Sequence, residues 1–337
     1  MTQIDSKIAV IILNWNGKED TLECLDSVYK MGYPHLEVIV VDNGSSDNSV
    51  LAVRERFRDV VLIENKGNLG FCGGNNAGIR YALSQRPDYL LILNNDAVAG
   101  QSLIKELKAV VDSDPLIGAV SPIITFYDNQ DLIYFSGTKI DWGNGDFYGQ
   151  YPRRHIETAR GLLDIDFTGW CATFMKCEVM EKVGLLDERF FAYYDDADWG
   201  ARAKACGLRT VLYPRKLAAH KVSSSTGGSF SPSVYFYLFR NRLFFMRKHA
   251  PFLRKLQFSF CYVRDSYKKY VSLLKDGQQE RAEAVIDGFW SALNNCQFEK
   301  RLRMPQKLKT SRNVFTFVFL RALTLKAVFG FKNKLCA

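Results

Sequence analysis

Along the first third of the chain, short apolar runs alternate with polar or glycine clusters and with stretches of helical periodicity. Ile8 to Leu13 is unbroken, as suits a strand buried on both faces of a parallel sheet. It ends in Asn14-Trp15-Asn16-Gly17, and Thr21 to Tyr29 follows with the 3.6-residue spacing of a helix. Leu36 to Val41 predicts a second strand, ending in Asp42-Asn43-Gly44-Ser45-Ser46-Asp47, with Asp47 placed to cap a helix that reaches about Phe57. Val60 to Glu64 and Leu90 to Leu93 read as the third and fourth strands, followed by helices over Gly73 to Leu83 and Ser102 to Asp112. Strands alternating with short helices imply an α/β fold with a mostly parallel sheet, right-handed crossovers and helices on both faces.

In such a sheet the polar residues after each strand converge on one edge. Asn14 to Asn16, Asp42 to Ser45, Asn68 to Asn76 and Asn94 to Asp96 would lie together there, where open α/β sheets bind ligands. The stretch Asn68-Leu69-Gly70-Phe71-Cys72-Gly73-Gly74-Asn75-Asn76 is the richest, because glycines let backbone amides approach a phosphate and the next helix offers its positive end. A flexible loop is the alternative, and the spacing of Gly70, Gly73 and Gly74 is not that of a dinucleotide fingerprint. Asp96 sets a carboxylate at the end of the fourth strand; a turn, or a cap for the helix near Gln101, would use it equally.

The later residues add acids and aromatics. Asp128 to Asp166 is long and irregular, with Trp142, Phe147, Tyr148 and Tyr151 among glycines, which marks a functional or mobile segment. An aromatic run, Phe190 to Tyr194, leads into Asp195-Asp196-Ala197-Asp198 at the start of an expected helix over Trp199 to Cys206. Carboxylates there favour the helix dipole; adjacent acids beside bulky aromatics also raise a carboxylate's pKa, as a general base requires.

Composition separates the chain into two parts. Residues 1 to 220 carry 23 Lys and Arg against 30 Asp and Glu, whereas residues 221 to 337 carry 22 against 6, a net of +16. A basic tail suits an anionic membrane surface or nucleic acid. Nucleic acid is disfavoured, since no helix-turn-helix, RNP-like or zinc pattern accompanies the charge. The eight cysteines show no CxxC pair, so reduced and mostly buried thiols are expected. Met1 to Lys7 is polar and the first apolar run is short, so no signal peptide is expected and the sheet is placed in the cytosol.

Five motifs in order carry a family resemblance: NWNG at 14 to 17, VVDNGSSD at 40 to 47, NLGFCGGNNAG at 68 to 78, LNND at 93 to 96 and FFAYYDDADWGARAKACG at 190 to 207. Over roughly residues 8 to 225 the chain resembles the family 2 glycosyltransferases, and within them the rhamnosyltransferases of bacterial surface polysaccharides. The resemblance implies a GT-A fold, a nucleoside-diphosphate sugar donor of dTDP or UDP type, a divalent metal (Mn or Mg) and inversion at the anomeric carbon. It implies that Asp42 reads the base, with Asn14 and Asn16 nearby, and that Asn68, Gly70, Gly73 and Asn76 line the donor. Asn94-Asn95-Asp96 corresponds to the family's DXD motif, with Asp96 on the metal and Asn94 where an acid is usual. His220 matches a histidine that approaches the metal or diphosphate. Asp196, the second acid of its motif, would be the base, with Asp195 and Asp198 orienting the acceptor or holding the helix. Phe167 to Ala172 resembles the strand facing the acceptor, where Trp170 would stack on a sugar or fill the core.

This organisation predicts a catalytic domain over 1–225, with a nucleotide-sugar half to about 100 and an acceptor half beyond it, and a helical basic region over 226–337. Tyr235 to Lys248 and Val314 to Phe331 each hold cations that are costly at a bilayer centre, so they read as interfacial helices or as an ordinary bundle packed on the sheet. The expected activity is transfer of a sugar, rhamnose for preference, to a glycan or polyprenyl-linked acceptor at the inner face of the cytoplasmic membrane, by a peripheral enzyme. A two-carboxylate glycoside hydrolase and a non-catalytic nucleotide-sugar binding module are the alternatives.

Overall fold

The computed structural model describes residues 6–149, 158–222 and 231–294. The chain divides into two compact units. The first takes in Met1–Lys139, Tyr148–Phe191 and Asp195–Ser225, and the second Ile140–Phe147, Ala192–Tyr194 and Thr226–Ala337.

The first unit opens as the periodicity predicts: β1 (Ile8–Asn14), α1 (Lys18–Tyr29), β2 (Leu36–Asp42), α2 (Ser49–Arg56), β3 (Val61–Glu64), α3 (Gly70–Ser84), β4 (Tyr89–Asn94), β5 (Ala97–Ala99) and α4 (Leu103–Ser113). Then come β6 (Ile117–Phe126), β7 (Ile133–Phe135), β8 (Thr138–Ile140), β9 (Phe147–Gly149), β10 (Leu163–Ile165), β11 (Ala172–Lys176), α5 (Cys177–Val183), a 3-10 turn (Glu188–Phe190), α6 (Asp195–Ala205) and β12 (Arg209–His220). The main sheet runs β10-β12-β6-β11-β4-β1-β2-β3, with β5 added to β12 and β7 to β6. Strands β1 to β4 pair in parallel, β11 enters antiparallel between β4 and β6, and β12 returns parallel to β6 through two bulged stretches.

Alternation along β1 explains the layers. Ile8, Val10 and Ile12 join Cys24, Leu25 and Val28 of α1 and the buried stripe Leu103, Ile104, Leu107, Val110 and Val111 of α4 in one core. Each such side chain contributes about 1.5–3 kcal/mol on full burial. Ile11 and Val41 point to the opposite face, where α3 lies so close that a Cβ on Gly78 would fall 2.7 Å from Ile11 Cγ2 and 2.9 Å from Val41 Cγ2. The helix expected from Gly73 starts three residues earlier, at Gly70, and Gly74 and Gly78 are needed for helix-on-sheet contact. The six described cysteines are free, and four of them are buried.

The second unit is helical: α7 (Pro232–His249), α8 (Phe252–Lys275) and α9 (Gln279–Leu293). Ser231 Oγ accepts from the Val234 amide and Pro232 opens α7, a regular amino-terminal cap. Gly288 of α9 meets the backbone of α7 at Phe236, where a Cβ would lie 2.4 Å from the carbonyl oxygen. Tyr235 to Lys248, one of the two stretches read as interfacial, belongs to α7 and is largely buried: Arg240 is 1% exposed, with its guanidinium over the rings of Phe236, Tyr237 and Phe244. The other, Val314 to Phe331, lies outside the described residues, as does Tyr151. Among the described residues no helix is long and apolar enough to cross a membrane.

Candidate active site

The parallel register sets Asn14 opposite Asp42 at the ends of β1 and β2, and Asn94 beside Leu13 at the end of β4. Asn14 is the hub. Its amide nitrogen donates to Asp42 Oδ1 (2.8 Å) and Ser45 Oγ (3.2 Å), while its Oδ1 accepts from Thr21 Oγ1 (2.8 Å), the Gly17 amide (3.2 Å) and Asn95 Nδ2 (3.3 Å). Asp42, 3% exposed, accepts from the Ser45 amide at Oδ2, and each of its oxygens keeps a second lone pair for a further donor. Asn16, left-handed at φ 52°, accepts from the Ser46 amide at 2.8 Å. Asp47 caps across the loops: one carboxylate oxygen takes the Lys18 amide that opens α1, the other the Ser49 amide of α2.

Asn68 belongs to the same edge through Asn43, whose Nδ2 donates to Asn68 Oδ1 (3.3 Å) and the Gly70 carbonyl (3.0 Å). Asn68 Oδ1 also accepts from the Gly70 amide, so it fixes the residue that opens α3. Gly70 has φ +72°, and a Cβ there would fall 2.5 Å from the Phe191 ring. Asn43 and Asn95, which tie the three strand ends together, were legible only as members of polar runs.

The Asn-Asn-Asp turn after β4 splits its side chains. Asn95 faces Asn14 and Thr21, whereas Asn94 and Asp96 face His220, which the antiparallel pairing of Ala97 with His220 brings from the far end of β12. His220 Nε2 lies 2.9 Å from Asp96 Oδ1 and 3.5 Å from Asn94 Nδ2, with both the acid and the imidazole buried. His220 Nδ1 is buried without a hydrogen-bond partner. Next to it, Lys221 bridges Asp20 and Glu23 of α1; although burial pulls its pKa down, these two carboxylates hold it above the ordinary lysine range. No group of three or more His, Cys, Asp or Glu able to hold a metal occurs among the described residues. The pair Asp96–His220 with Asn94 nevertheless fits a hard cation that takes its remaining oxygens from phosphate and water, since a buried carboxylate, an imidazole nitrogen and an amide come together there.

Asn76 is 1% exposed, and its amide is engaged away from the strand ends. It exchanges hydrogen bonds with the Leu186 backbone (3.0 and 2.9 Å) and donates to Glu188 Oε1 (2.9 Å), which also pairs with Arg80. Helix α3 is thus fastened to the segment before the acid motif. The Cys72 amide continues this by donating to the Phe191 carbonyl at 3.1 Å. Burial, reinforced by Asp195, pushes the Cys72 thiol up, so it stays protonated. Gly73 faces Leu69, at 2.8 Å from where its Cβ would be.

The acid motif forms the first turn of α6, which starts four residues earlier than the helix expected from Trp199. Phe191, Tyr193 and Tyr194, just before it, have φ of 63°, 66° and 67°, a conformation that costs about 1–3 kcal/mol for each bulky residue. Asp198 is fully buried and paired at 2.9 Å with Arg202, whose other nitrogens donate to the carbonyls of Val183, Gly184 and Leu185. Asp195 is buried. Asp196 remains partly exposed, yet desolvation raises its carboxyl to about 6, against the opposing pull of the Ala197 amide and its own. Trp170 is 4% exposed with its ring edge-on to Trp199, the packing of a core side chain.

This arrangement can hold a diphosphate at the strand ends and take a proton at Asp196. Comparison with known proteins identifies the family. One relative is the low-salt glycan biosynthesis hexosyltransferase Agl10 of Haloferax volcanii, 29% identical over 91% of this chain and 95% of its own. Another is the N-acetylglucosaminyl-diphospho-decaprenol L-rhamnosyltransferase of Mycobacterium tuberculosis, 24% identical over 62% and 78%. Among solved structures, a mannosyltransferase from Pyrobaculum calidifontis in complex with GDP-Man and Mn2+ shares the fold, with a TM-score of 0.52 at 17% identity over 97% of this chain and 88% of that one. Residues 9–184 match the model of glycosyl transferase family 2, and with more than half of its length so matched the chain is a member of the family 2 glycosyltransferases, of the GT-A fold.

Proposed function

We propose that this glycosyltransferase moves a sugar, rhamnose for preference, from a dTDP- or UDP-type nucleoside-diphosphate sugar to a polyprenyl-linked or other glycan acceptor in cell-surface polysaccharide synthesis, with inversion. The observation that carries this reading is Asp196: a carboxyl at the start of α6, partly exposed and raised to about 6. In that state it is ionised at neutral pH and basic enough to take a hydroxyl proton. The acceptor oxygen bonds the anomeric carbon as the bond to the diphosphate breaks, and the hydroxyl proton passes to Asp196. One displacement gives inversion.

Asp42, held by Asn14 and Ser45, presents its remaining lone pairs to the N–H of a pyrimidine base. Asn16, Asn68 and the opening of α3 at Gly70 and Gly73 line the donor beside it. Asp96, His220 and Asn94 would hold Mn or Mg, which supplies positive charge where the leaving diphosphate gathers negative charge. Asp195 and Asp198 fix the helix that carries the base, and Asp198 does so through Arg202. The names of the Mycobacterium and Haloferax relatives support rhamnose, a diphosphoprenyl acceptor and glycan synthesis.

We place the enzyme peripherally on the inner face of the cytoplasmic membrane. Support comes from α8, whose Leu253, Phe260, Tyr267 and Leu274 are exposed at seven-residue intervals, among the exposed cations Arg254, Arg264, Lys268 and Lys275. That combination suits a helix resting on anionic lipid.

A thermal-shift panel of dTDP, UDP and GDP, with and without manganese, tests the donor reading. One nucleotide should stabilise the protein by about 2.7 kcal/mol at 100 times its dissociation constant, and more strongly with metal. No shift with any of the three would overturn it. Turnover is then read as nucleoside diphosphate release from dTDP-rhamnose, UDP-GlcNAc or GDP-mannose, with a polyprenyl-diphosphate-linked GlcNAc as acceptor.

A further inference from the structure

The residues leading into the acid motif hold three left-handed non-glycine conformations in four positions, and such backbone persists only where its surroundings fix it. Two of the three, Tyr193 and Tyr194, lie in the short segment that belongs to the helical unit. Within that unit a side chain of α7 grips the segment. Asn241 of α7 is fully buried, and its Nδ2 donates to the Ala192 carbonyl at 2.7 Å and to the Tyr193 carbonyl at 2.9 Å. Its Oδ1 accepts from Arg240 Nε at 2.9 Å, which fixes which end of the amide faces the two carbonyls. Arg240 in turn is held among Phe236, Tyr237 and Phe244. Next along the chain, the Tyr194 hydroxyl donates to the Gly145 carbonyl at 2.9 Å, with its ring against Phe147 and Phe245.

A buried amide that donates to two consecutive carbonyls of a strained turn fixes that turn in place. Tyr194 is joined by one peptide bond to Asp195 and by two to Asp196, so the direction in which α6 starts follows from the dihedrals of Tyr193 and Tyr194. We propose that Asn241 is a positioning residue for the transfer reaction: by holding the Ala192 and Tyr193 carbonyls it keeps the left-handed turn that aims Asp196 at the acceptor hydroxyl. Tyr194, through its hydroxyl, is the second part of the same device. This rests on the reading of Asp196 as the base.

The test compares Asn241→Ala, Tyr194→Phe and Asp196→Asn in the full chain, with the donor that turns over, dTDP-rhamnose first, and the polyprenyl-linked GlcNAc acceptor. Asn241→Ala should lower kcat about 10- to 100-fold, the scale of a misplacement near 1 Å, with donor KM and nucleotide affinity within about twofold of wild type. Tyr194→Phe, which loses one hydrogen bond, should lower kcat about two- to tenfold in the same pattern. Wild-type kcat in a folded Asn241→Ala overturns the proposal, as does a loss of nucleotide affinity in step with kcat, which would mark general damage. Should Asn241→Ala fail to fold, Tyr194→Phe decides alone, and an unchanged kcat overturns it. Normal turnover by Asp196→Asn would remove the base reading itself; an inactive Asp196→Asn beside a normal Asn241→Ala would remove only the positioning role.

Discussion

At the carboxyl ends of β1, β2 and β4 the polar side chains hold one another: Asn14 takes Asp42, Ser45, Thr21 and Asn95, and Asn43 takes Asn68 and the start of α3. At the acid motif the side chains hold backbone instead. Asn76 grips Leu186, Arg202 the carbonyls of Val183 to Leu185, and Asn241 those of Ala192 and Tyr193. The strand-end network sits on regular strands, so its geometry follows from the sheet. The acid motif sits after three left-handed aromatic residues, and Asn241 is proposed to restrain them. A static site suits a nucleotide that binds before reaction, whereas a base must meet one hydroxyl within a narrow range of distance and angle.

The same contrast decides what could be read from the sequence. Strands β1 to β4 and helices α1 to α4 announce themselves by local periodicity, and the polar residues ending each strand follow from the parallel register. His220 is different. Its meeting with Asp96 depends on β12 running past two bulges to pair with the short β5, and nothing local to Ala218-Ala219-His220 encodes that. The glycines of α3 were read for backbone approach to phosphate, but Gly74 and Gly78 answer to Leu13, Ile11 and Val41 across the helix–sheet contact. Arg240 and Arg242 looked like surface charge in Tyr235 to Lys248, because burial of a guanidinium over aromatic rings leaves no mark in periodicity.

If the acid motif is the reacting end and the strand edge the binding end, substitutions should divide accordingly. Asp196→Asn removes one partly exposed charge, so the fold should hold while turnover falls about 10²- to 10⁴-fold and nucleotide affinity stays near wild type; steady-state kinetics with calorimetry separates the two. Arg202→Met removes this ion pair from the fully buried Asp198 and one donor each from the Val183 and Leu185 carbonyls, while the Gly184 carbonyl keeps Trp199 Nε1. It should cost about 3–5 kcal/mol in denaturant unfolding, and a loss under about 1 kcal/mol would show that the pair carries little. Asp96→Ala should weaken nucleotide binding in the presence of manganese about 10- to 100-fold, about 1.4–2.7 kcal/mol, and His220→Ala less; equal affinities would remove both from the metal site. The smallest effect concerns attachment: the full chain should sediment with anionic liposomes at low salt, at about 1 kcal/mol for each cation near the surface, and be only partly released at high salt. A chain that stays in the supernatant at low salt would assign α8 to another surface.

The pH dependence of kcat/KM tests the central claim most directly, because it reports the base of the free enzyme. The carboxyl of Asp196 is raised from 3.8 to about 6, so it is ionised and competent above that value and protonated and inert below it. Stability runs the other way: the folded state holds this proton more tightly than the unfolded one, so this group's contribution is full below 3.8 and is lost as pH rises through about 6. The account predicts a wild-type profile that is level near neutrality and falls about tenfold per pH unit below an apparent pKa of about 6, in a protein that stays folded throughout. A profile still level down to about pH 4.5 would contradict it, since an unperturbed or spectator carboxylate imposes no acid limb there.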